Sequence, residues 1–412
     1  MNHVPLPYVS WSAPRRSDGA AWDTLKSLLR NLGGKVRRSL AAGASGSGGA
    51  CEPKKARLSL FDELLTLWIF IAMAGGIGLG ALFPGLPDAL DSAKVFDVSL
   101  PIAIGLLVMM YPPLAKVRYD ELGRLRGAKR MLTTSLVLNW AIGPVLMFAL
   151  AWLAFPGSDD TSTAFRNGLI LIGLARCIAM VLVWNMLAEG DCEYCAVLVA
   201  LNSIFQIFMY SILAYFFITV MTPVVSPSAE AAVVDITMVD IAKNVLIFLG
   251  IPFALGVASW YLIARRKGRA WYDTVFAPKV SRLALIGLLF TIVVMFALQG
   301  EEILERPFDV VKVALPLLAY FLLMFFTSFA LSHRLGFNYG QSATQSFTAA
   351  SNNFELAIAV AVATFTISSI EAFTAVIGPL MEVPVLLGLV HVSLWIKRRY
   401  YGEDGLPKRR GS

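Results

Sequence analysis

The sequence predicts an all-α integral membrane protein with ten transmembrane helices. Of its 412 residues, 57% are hydrophobic and only 15% are charged, whereas soluble domains carry about 25% charged residues. Its mean hydropathy is +0.68. Apolar runs of about 20 residues, the length of helix that crosses a bilayer, recur from Leu58 onward. An ordinary soluble domain is therefore excluded.

The ten predicted spans are separated by polar connections whose charges alternate. Lysine and arginine cluster in the stretches 112–130 and 265–282 and in the C-terminal tail, while acidic residues predominate on the opposite side. Because positively charged loops stay in the cytoplasm, both termini are predicted to be cytoplasmic. The short connection 188–193 is acidic, but acidic residues carry little weight in this rule. The spans lie at about 60–83, 95–112, 130–155, 166–187, 194–222, 240–264, 281–299, 310–332, 341–365 and 370–396.

The spans divide into two halves of five, at 58–222 and 240–396, which a predicted extracytoplasmic loop joins at 223–239. A basic cytoplasmic tail follows at 397–412. Residues 1–57 are polar and basic, and we expect a mostly disordered cytoplasmic tail. Two alternatives remain for this tail, namely a basic helix on an anionic leaflet and a targeting peptide.

Charge and motif content exclude several other functions. The net charge of +7 comes from clusters between apolar runs, so it indicates membrane topology and not nucleic-acid binding. The four cysteines do not make a disulfide framework. The sequence has no His-Glu-x-x-His or Gly-x-Ser-x-Gly motif, and His391 is the only histidine well inside a span. We therefore expect neither an enzyme nor a bound cofactor.

Two halves with an odd number of spans are inverted relative to one another in the membrane. Comparison of spans four and five with nine and ten aligns Gln206 with Glu382, and Pro144 and Pro316 lie within spans three and eight. Inverted repeats with broken helices are typical of transporters that bind solutes near mid-membrane. We therefore predict two inverted five-helix repeats whose fourth and ninth helices are broken and cross at mid-membrane.

In the first half, Arg176 and Cys177 lie side by side near the middle of the fourth span. A charge at that depth costs roughly 2.5–3.5 kcal/mol on insertion scales, which indicates a partner or a use. A sulfur beside a cation favours a site for a thiol-seeking solute, although free cysteine is often a small buried hydrophobe. Asn202 and Gln206 share one face of the fifth span, where they contact the solute or form interhelical hydrogen bonds.

In the second half, the run Ser351-Asn352-Asn353 predicts the break in the ninth span, because these side chains compete for backbone hydrogen bonds. Asn352 and Asn353 are candidate solute contacts. Glu355 either couples transport to protons or neutralises Arg176. Glu382, between two prolines, is a second buried acid and a candidate for proton coupling.

Cys192 and Cys195 form a Cys-x-x-Cys motif just beyond the fourth span. No second pair of cysteines or histidines accompanies it, which argues against a structural zinc site. Capture of a thiophilic solute at the inner mouth is the remaining functional interpretation.

Four segments resemble the arsenical-resistance-3 family of arsenite efflux permeases, in the superfamily that also contains bile-acid/sodium symporters. They are Gly173–Asn185 (GLARCIAMVLVWN), Leu198–Gln206 (LVALNSIFQ), Ala349–Val360 (AASNNFELAIAV) and Val376–Val385 (VIGPLMEVPV). The resemblance runs from about Leu58 to Trp395. It implies the same ten-helix inverted-repeat fold with crossing broken helices.

The resemblance also implies export of arsenite, and of antimonite as a further candidate, in exchange for protons. The family's essential cysteine falls on Cys177 and its essential glutamate on Glu355. The expected partners are therefore As(OH)3, Sb(OH)3, protons and the lipid bilayer. Soft As(III) prefers thiolate ligands, which agrees with Cys177. The Cys192–Cys195 motif and the long N-terminal tail are outside the family pattern. The alternative is a sodium-coupled organic-anion symporter on the same fold. The expected location is the plasma membrane, with a vacuolar or other internal membrane as the alternative.

Overall fold

The computed structural model describes residues 65–83, 85–86, 94–95, 98–117, 129–226, 237–366 and 369–408. The predicted tail 1–57 and most of the predicted loop 223–239 lie outside these residues, as do the last four residues of the chain. The division of the chain into five parts therefore remains a prediction.

The described part of the chain is built almost entirely of helices. One two-residue hairpin, β1 (Lys94–Val95) and β2 (Val98–Ser99), departs from the all-α prediction. Two short turns, Arg269–Trp271 and Tyr272–Phe276, lead into α8. The helices are α1 (Leu65–Leu82), α2 (Leu100–Ala115), α3 (Lys129–Ala154), α4 (Asp160–Leu174), α5 (Met180–Leu187), α6 (Cys192–Val225), α7 (Met238–Lys267), α8 (Ala277–Glu305), α9 (Pro307–Arg334), α10 (Tyr339–Ala350), α11 (Phe354–Phe365) and α12 (Ile370–Tyr400).

Six helices in the described ranges are long and apolar enough to cross a membrane: α3, α6, α7, α8 with its leading turns, α9 and α12. This finding agrees with the predicted α-helical membrane protein. The count of ten spans, the inverted repeat and the cytoplasmic termini remain predictions, because the other helices are shorter and no membrane is present.

Prolines shape several of the long helices. A π-helical turn precedes Pro144 in α3, Pro223 in α6, Pro252 in α7 and Pro278 in α8. A proline has no backbone N–H to donate and its ring clashes with the carbonyl one turn earlier, so the preceding turn widens. The mid-span proline of the predicted third span therefore marks a local distortion and not a helix end.

The fourth predicted span is longer than expected and is divided in two. The helix α4 begins at Asp160, six residues before the predicted start, because the side chain of Asp159 accepts a hydrogen bond from the Ser162 backbone N–H. This hydrogen bond lowers the pKa of the exposed Asp159 carboxyl. After Leu174 the chain leaves the helix and re-enters it at Met180.

The ninth predicted span is also divided, and the break lies where the sequence predicted it. The helix α10 ends at Ala350, Ser351 is extended, and α11 begins at Phe354. The two breaks face each other through a β-bridge between Arg176 and Asn352. A backbone hydrogen bond of 3.1 Å from Asn353 N–H to the Ala175 carbonyl adds to it. The predicted crossing of two broken helices is therefore present as a direct backbone contact.

Candidate functional site

The candidate site lies where the two broken helices meet. The Asn352 amide nitrogen donates to the carbonyls of Ile172 at 2.7 Å and Ala175 at 3.1 Å. These carbonyls belong to the C-terminal end of α4 and the residue after it, where the helix leaves acceptors without an intrahelical partner. Asn352 thus holds the first break with its side chain and its backbone. Its side-chain oxygen is buried and has no hydrogen-bond partner among the described residues.

Arg176 is fully buried and stabilised mainly by the ends of helices. Its guanidinium donates to the Gly173 carbonyl in the last turn of α4, and a longer contact of 3.5 Å reaches the Ala349 carbonyl in the last turn of α10. It also donates to the Tyr320 hydroxyl on α9 at 2.8 Å. The C-terminal end of a helix carries partial negative charge, so two such ends together stabilise a cation.

The alternative that Glu355 neutralises Arg176 is not what the structure shows. No ion pair joins these two residues, both of which lie within the described ranges. The helix-end carbonyls and Tyr320 take the place that this alternative assigned to the carboxylate.

Cys177 is 3% exposed and lies in the non-helical segment between α4 and α5. Its Sγ accepts a hydrogen bond of 3.2 Å from the Val181 backbone N–H in the first turn of α5. The Arg176 guanidinium contacts other groups, namely the Tyr320 hydroxyl and the Gly173 carbonyl. The first turn of α5, and not the neighbouring cation, therefore supplies the hydrogen bond to the Cys177 sulfur.

Two carboxylates from the second half approach the same place. Glu355 lies in the first turn of α11 and lines a small, mostly apolar cavity with Met109 and Thr291. The carboxylate of the buried Glu382, on α12, faces the backbone amide of Asn352. Cys177 and the two carboxylates lie within electrostatic range of one another. The fold thus brings the thiol and both acids together.

The remaining predicted contacts serve partly as structural links. The Asn353 side chain accepts from the Leu356 N–H at 3.1 Å and so caps α11. The Gln206 side-chain oxygen accepts from the Arg176 backbone N–H, and that of Asn202 accepts from Trp140 Nε1 at 3.1 Å. The side-chain nitrogens of Asn202 and Gln206 are buried without partners in the described structure. Interhelical hydrogen bonding is thus observed for both residues, and solute contact stays a prediction.

Comparison with known proteins decides the family. Residues 103–306 match the profile described as the Sodium Bile acid symporter family. The chain is 49% identical over 351 residues to the arsenical-resistance protein Acr3 of Corynebacterium glutamicum, an alignment that spans 85% of this chain and 93% of that protein. It is 30% identical over 342 residues to Acr3 of Alkaliphilus metalliredigens, over 82% and 93% of the two chains. The chain belongs to the Acr3 family.

A further relative, an uncharacterized transporter of Synechocystis sp., is 34% identical over 360 residues, 83% of this chain and 91% of that protein. Together with the long apolar helices, these relatives show that the Acr3-family chain is an integral membrane transporter. The resemblance found in the four sequence motifs is thereby confirmed.

Two residues that line this candidate site were missed in the sequence. Tyr320 binds Arg176, yet in the sequence it is one aromatic residue in an apolar run. Gly143 lets α3 approach closely, because a Cβ there would lie 3.0 Å from both the Arg176 guanidinium and the Tyr320 hydroxyl. A tyrosine four residues after the mid-span Pro316 is the only signal that the sequence offers.

Cys192 and Cys195 lie away from the crossing, in the first turn of α6. Their sulfurs approach α5, with Cys195 Sγ 4.0 Å from the Val181 carbonyl oxygen. The described residues contain no group of three or more cysteine, histidine or acidic side chains that could hold a metal ion.

Proposed function

We propose that this Acr3-family transporter exports arsenite, As(OH)3, from the cytoplasm across the plasma membrane, with Cys177 as the arsenic contact. The observation that carries the proposal is the position of the Cys177 sulfur in the first helix break, within electrostatic range of Glu355 and Glu382. The 49% identity to an arsenical-resistance protein over most of the chain supports the choice of solute.

The chemistry of the solute fits a single sulfur. Arsenic(III) is a soft centre that prefers sulfur to oxygen or nitrogen donors. When Cys177 binds, one As–S bond forms, one As–O bond breaks, and the thiol proton leaves with the hydroxyl as water. Because three sulfur ligands would hold the ion more tightly, one sulfur favours reversible capture. Sb(OH)3 has the same chemistry and is the second candidate solute.

Glu355 and Glu382 would couple export to protons. Two carboxylates within electrostatic range disfavour simultaneous ionisation, so their protons bind and leave as a linked pair. Protonation from the outer side would neutralise this pair of carboxylates. The equilibrium between bound and released arsenite would then shift toward release. The Arg176 guanidinium has partners of its own in the helix-end carbonyls and Tyr320, so it is not assigned to this carboxylate pair.

Everted membrane vesicles test both roles. We expect Cys177→Ala to abolish arsenite accumulation, because the thiol in the first helix break is removed. In the Glu355→Gln variant, we expect arsenite accumulation to lose its dependence on a pH gradient. Cys51→Ala, a cysteine outside the four motifs, is the matched control and should transport normally. Full arsenite transport by Cys177→Ala would contradict the capture role, and pH-dependent transport by Glu355→Gln would contradict proton coupling.

The sodium-coupled organic-anion symporter remains the second candidate, favoured by the description of the matching family profile. The same vesicles distinguish the two functions. Arsenite accumulation that is independent of sodium supports the arsenite exporter, whereas sodium-driven uptake of a bile acid with no arsenite accumulation supports the symporter.

A further inference from the structure

Three sulfur atoms follow one side of α5, the short helix that leads from the crossing to the loop before α6. The Cys177 sulfur accepts from the Val181 N–H at 3.2 Å, and the Cys195 sulfur lies 4.0 Å from the Val181 carbonyl oxygen. The Cys192 sulfur lies 3.8 Å from the Asn185 amide nitrogen. Val181 and Asn185 are four residues apart and therefore share one helix face. The Cys192 and Cys195 sulfurs thus both lie against the face of α5 that leads to Cys177.

Cys192 and Cys195 also form a dithiol by themselves. Residues three apart on a helix are surface neighbours whose Cβ atoms are about 5–6 Å apart, which lets two sulfurs bind one soft ion. Cys192 is partly exposed and Cys195 is buried, so the pair extends from the surface inward. We propose that this pair, which we call the inner dithiol, binds trivalent arsenic and delivers it to Cys177. The delivery step rests on the proposed arsenite export.

Binding at the inner dithiol requires no change of oxidation state. Each thiol forms one As–S bond as one As–O bond breaks, and each thiol proton leaves with a hydroxyl as water. On delivery, the Cys177 thiol forms an As–S bond while the bond from arsenic to Cys195 breaks, and the proton passes to the Cys195 sulfur. Water then breaks the remaining bond from arsenic to Cys192, giving its hydroxyl to arsenic and its proton to the Cys192 sulfur. The contacts on either side of Val181 place these two sulfurs within about 12 Å of each other.

The inner dithiol offers only two ligands, which distinguishes it from a structural zinc site. Structural zinc is held by four protein ligands, and the described residues contain no third ligand grouped with this pair. Two sulfurs form a chelate with arsenic that remains exchangeable with a third thiol. This property suits a site that must release its ion to Cys177.

Binding is tested on the full-length protein in detergent with phenylarsine oxide, a trivalent arsenical that dithiols bind. In a Cys51→Ser, Cys177→Ser background, only the inner dithiol remains. We expect intact-mass spectrometry to show one bound arsenical that survives excess monothiol and is released by a dithiol reagent. Adding Cys192→Ser or Cys195→Ser should each weaken retention by about 100-fold or more, as much as the double substitution, because the chelate is lost.

Transport provides the second arm of the test. With Cys177 intact, Cys192→Ser and Cys195→Ser should each raise the half-saturating arsenite concentration several-fold while the maximal rate stays close to that of the wild type. The proposal is overturned if the pair retains no arsenical, if either cysteine alone retains it as well as both, or if the half-saturating concentration is unchanged. A wild-type protein that accumulates no arsenite would instead overturn the proposed function, while arsenical retention still tests the dithiol.

Discussion

At the scale of single residues, Arg176 shows how a cation is buried with no carboxylate partner among the described residues. Its guanidinium contacts two helix-end carbonyls and the Tyr320 hydroxyl. We predict that Tyr320→Phe destabilises the protein by about 1–3 kcal/mol, because a buried charged donor loses its acceptor. The measurement is the melting temperature in detergent. Tyr215→Phe, at an exposed tyrosine on α6, is the control and should leave it unchanged. Equal melting temperatures for the two variants would show that the Arg176–Tyr320 contact adds no stability.

The sequence singled out candidate residues at the crossing more readily than their contacts. Cys177, Glu355 and Glu382 were chosen because a thiol and two acids stand out in apolar spans, and the fold brings them within electrostatic range of one another. Their roles remain predictions. The alternative partner of Arg176 was wrong for a physical reason. Helix ends carry partial charge only where a helix stops, and the sequence did not show that both α4 and α10 stop beside this residue.

At the scale of helices, close packing of α12 against α11 positions Glu355. A Cβ on Gly378 would overlap the ring of Phe354, the residue before Glu355. We predict that Gly378→Ala displaces the first turn of α11, lowers stability by about 1–3 kcal/mol through overpacking, and reduces arsenite transport. Gly388→Ala in the same helix is the matched control, because a Cβ there meets no atom within 4 Å. Normal transport and stability of Gly378→Ala would show that α12 does not fix the position of α11.

The two breaks differ in how far the sequence predicts them. Three consecutive poor helix formers mark the break at 351–353. The break after Leu174 has no such mark, since its residues suit a helix. Here the Gln206 side-chain oxygen accepts a hydrogen bond from the Arg176 backbone N–H, and the Asn353 backbone N–H donates to the Ala175 carbonyl. These backbone groups of Ala175 and Arg176 thus bond to distant residues. Contacts between distant parts of the chain, which local preference does not encode, therefore create this break.

At the scale of the whole molecule, the C-terminal segment packs against the beginning of α10, and Tyr339 and Lys397 link this end of the molecule to the loop after α5. The chain was predicted to leave the helix at 396, yet α12 continues to Tyr400 and residues 401–408 fold back. Tyr401 is 3% exposed and donates to Ser342 on α10 at 3.0 Å, while the Gly405 carbonyl accepts from the Tyr339 N–H at 2.8 Å. The Tyr339 hydroxyl in turn donates to the Ala188 carbonyl beyond α5 at 2.6 Å.

An ion pair of 2.5 Å between Lys397 and Glu189 joins α12 to the same loop, close to the inner dithiol. We predict that a chain ending at Tyr400 exposes Cys192 and Cys195, because the contacts of Tyr401 and Gly405 with α10 are lost. The measurement is the rate at which a membrane-impermeant maleimide labels everted vesicles, with Cys51 and Cys177 replaced by serine. A chain ending at Lys408 keeps residues 401–408 and should label at the wild-type rate. Equal labelling of the full-length chain and both shortened chains would show that residues 401–408 do not cover the dithiol. Faster labelling of only the chain that ends at Tyr400 would show that they do.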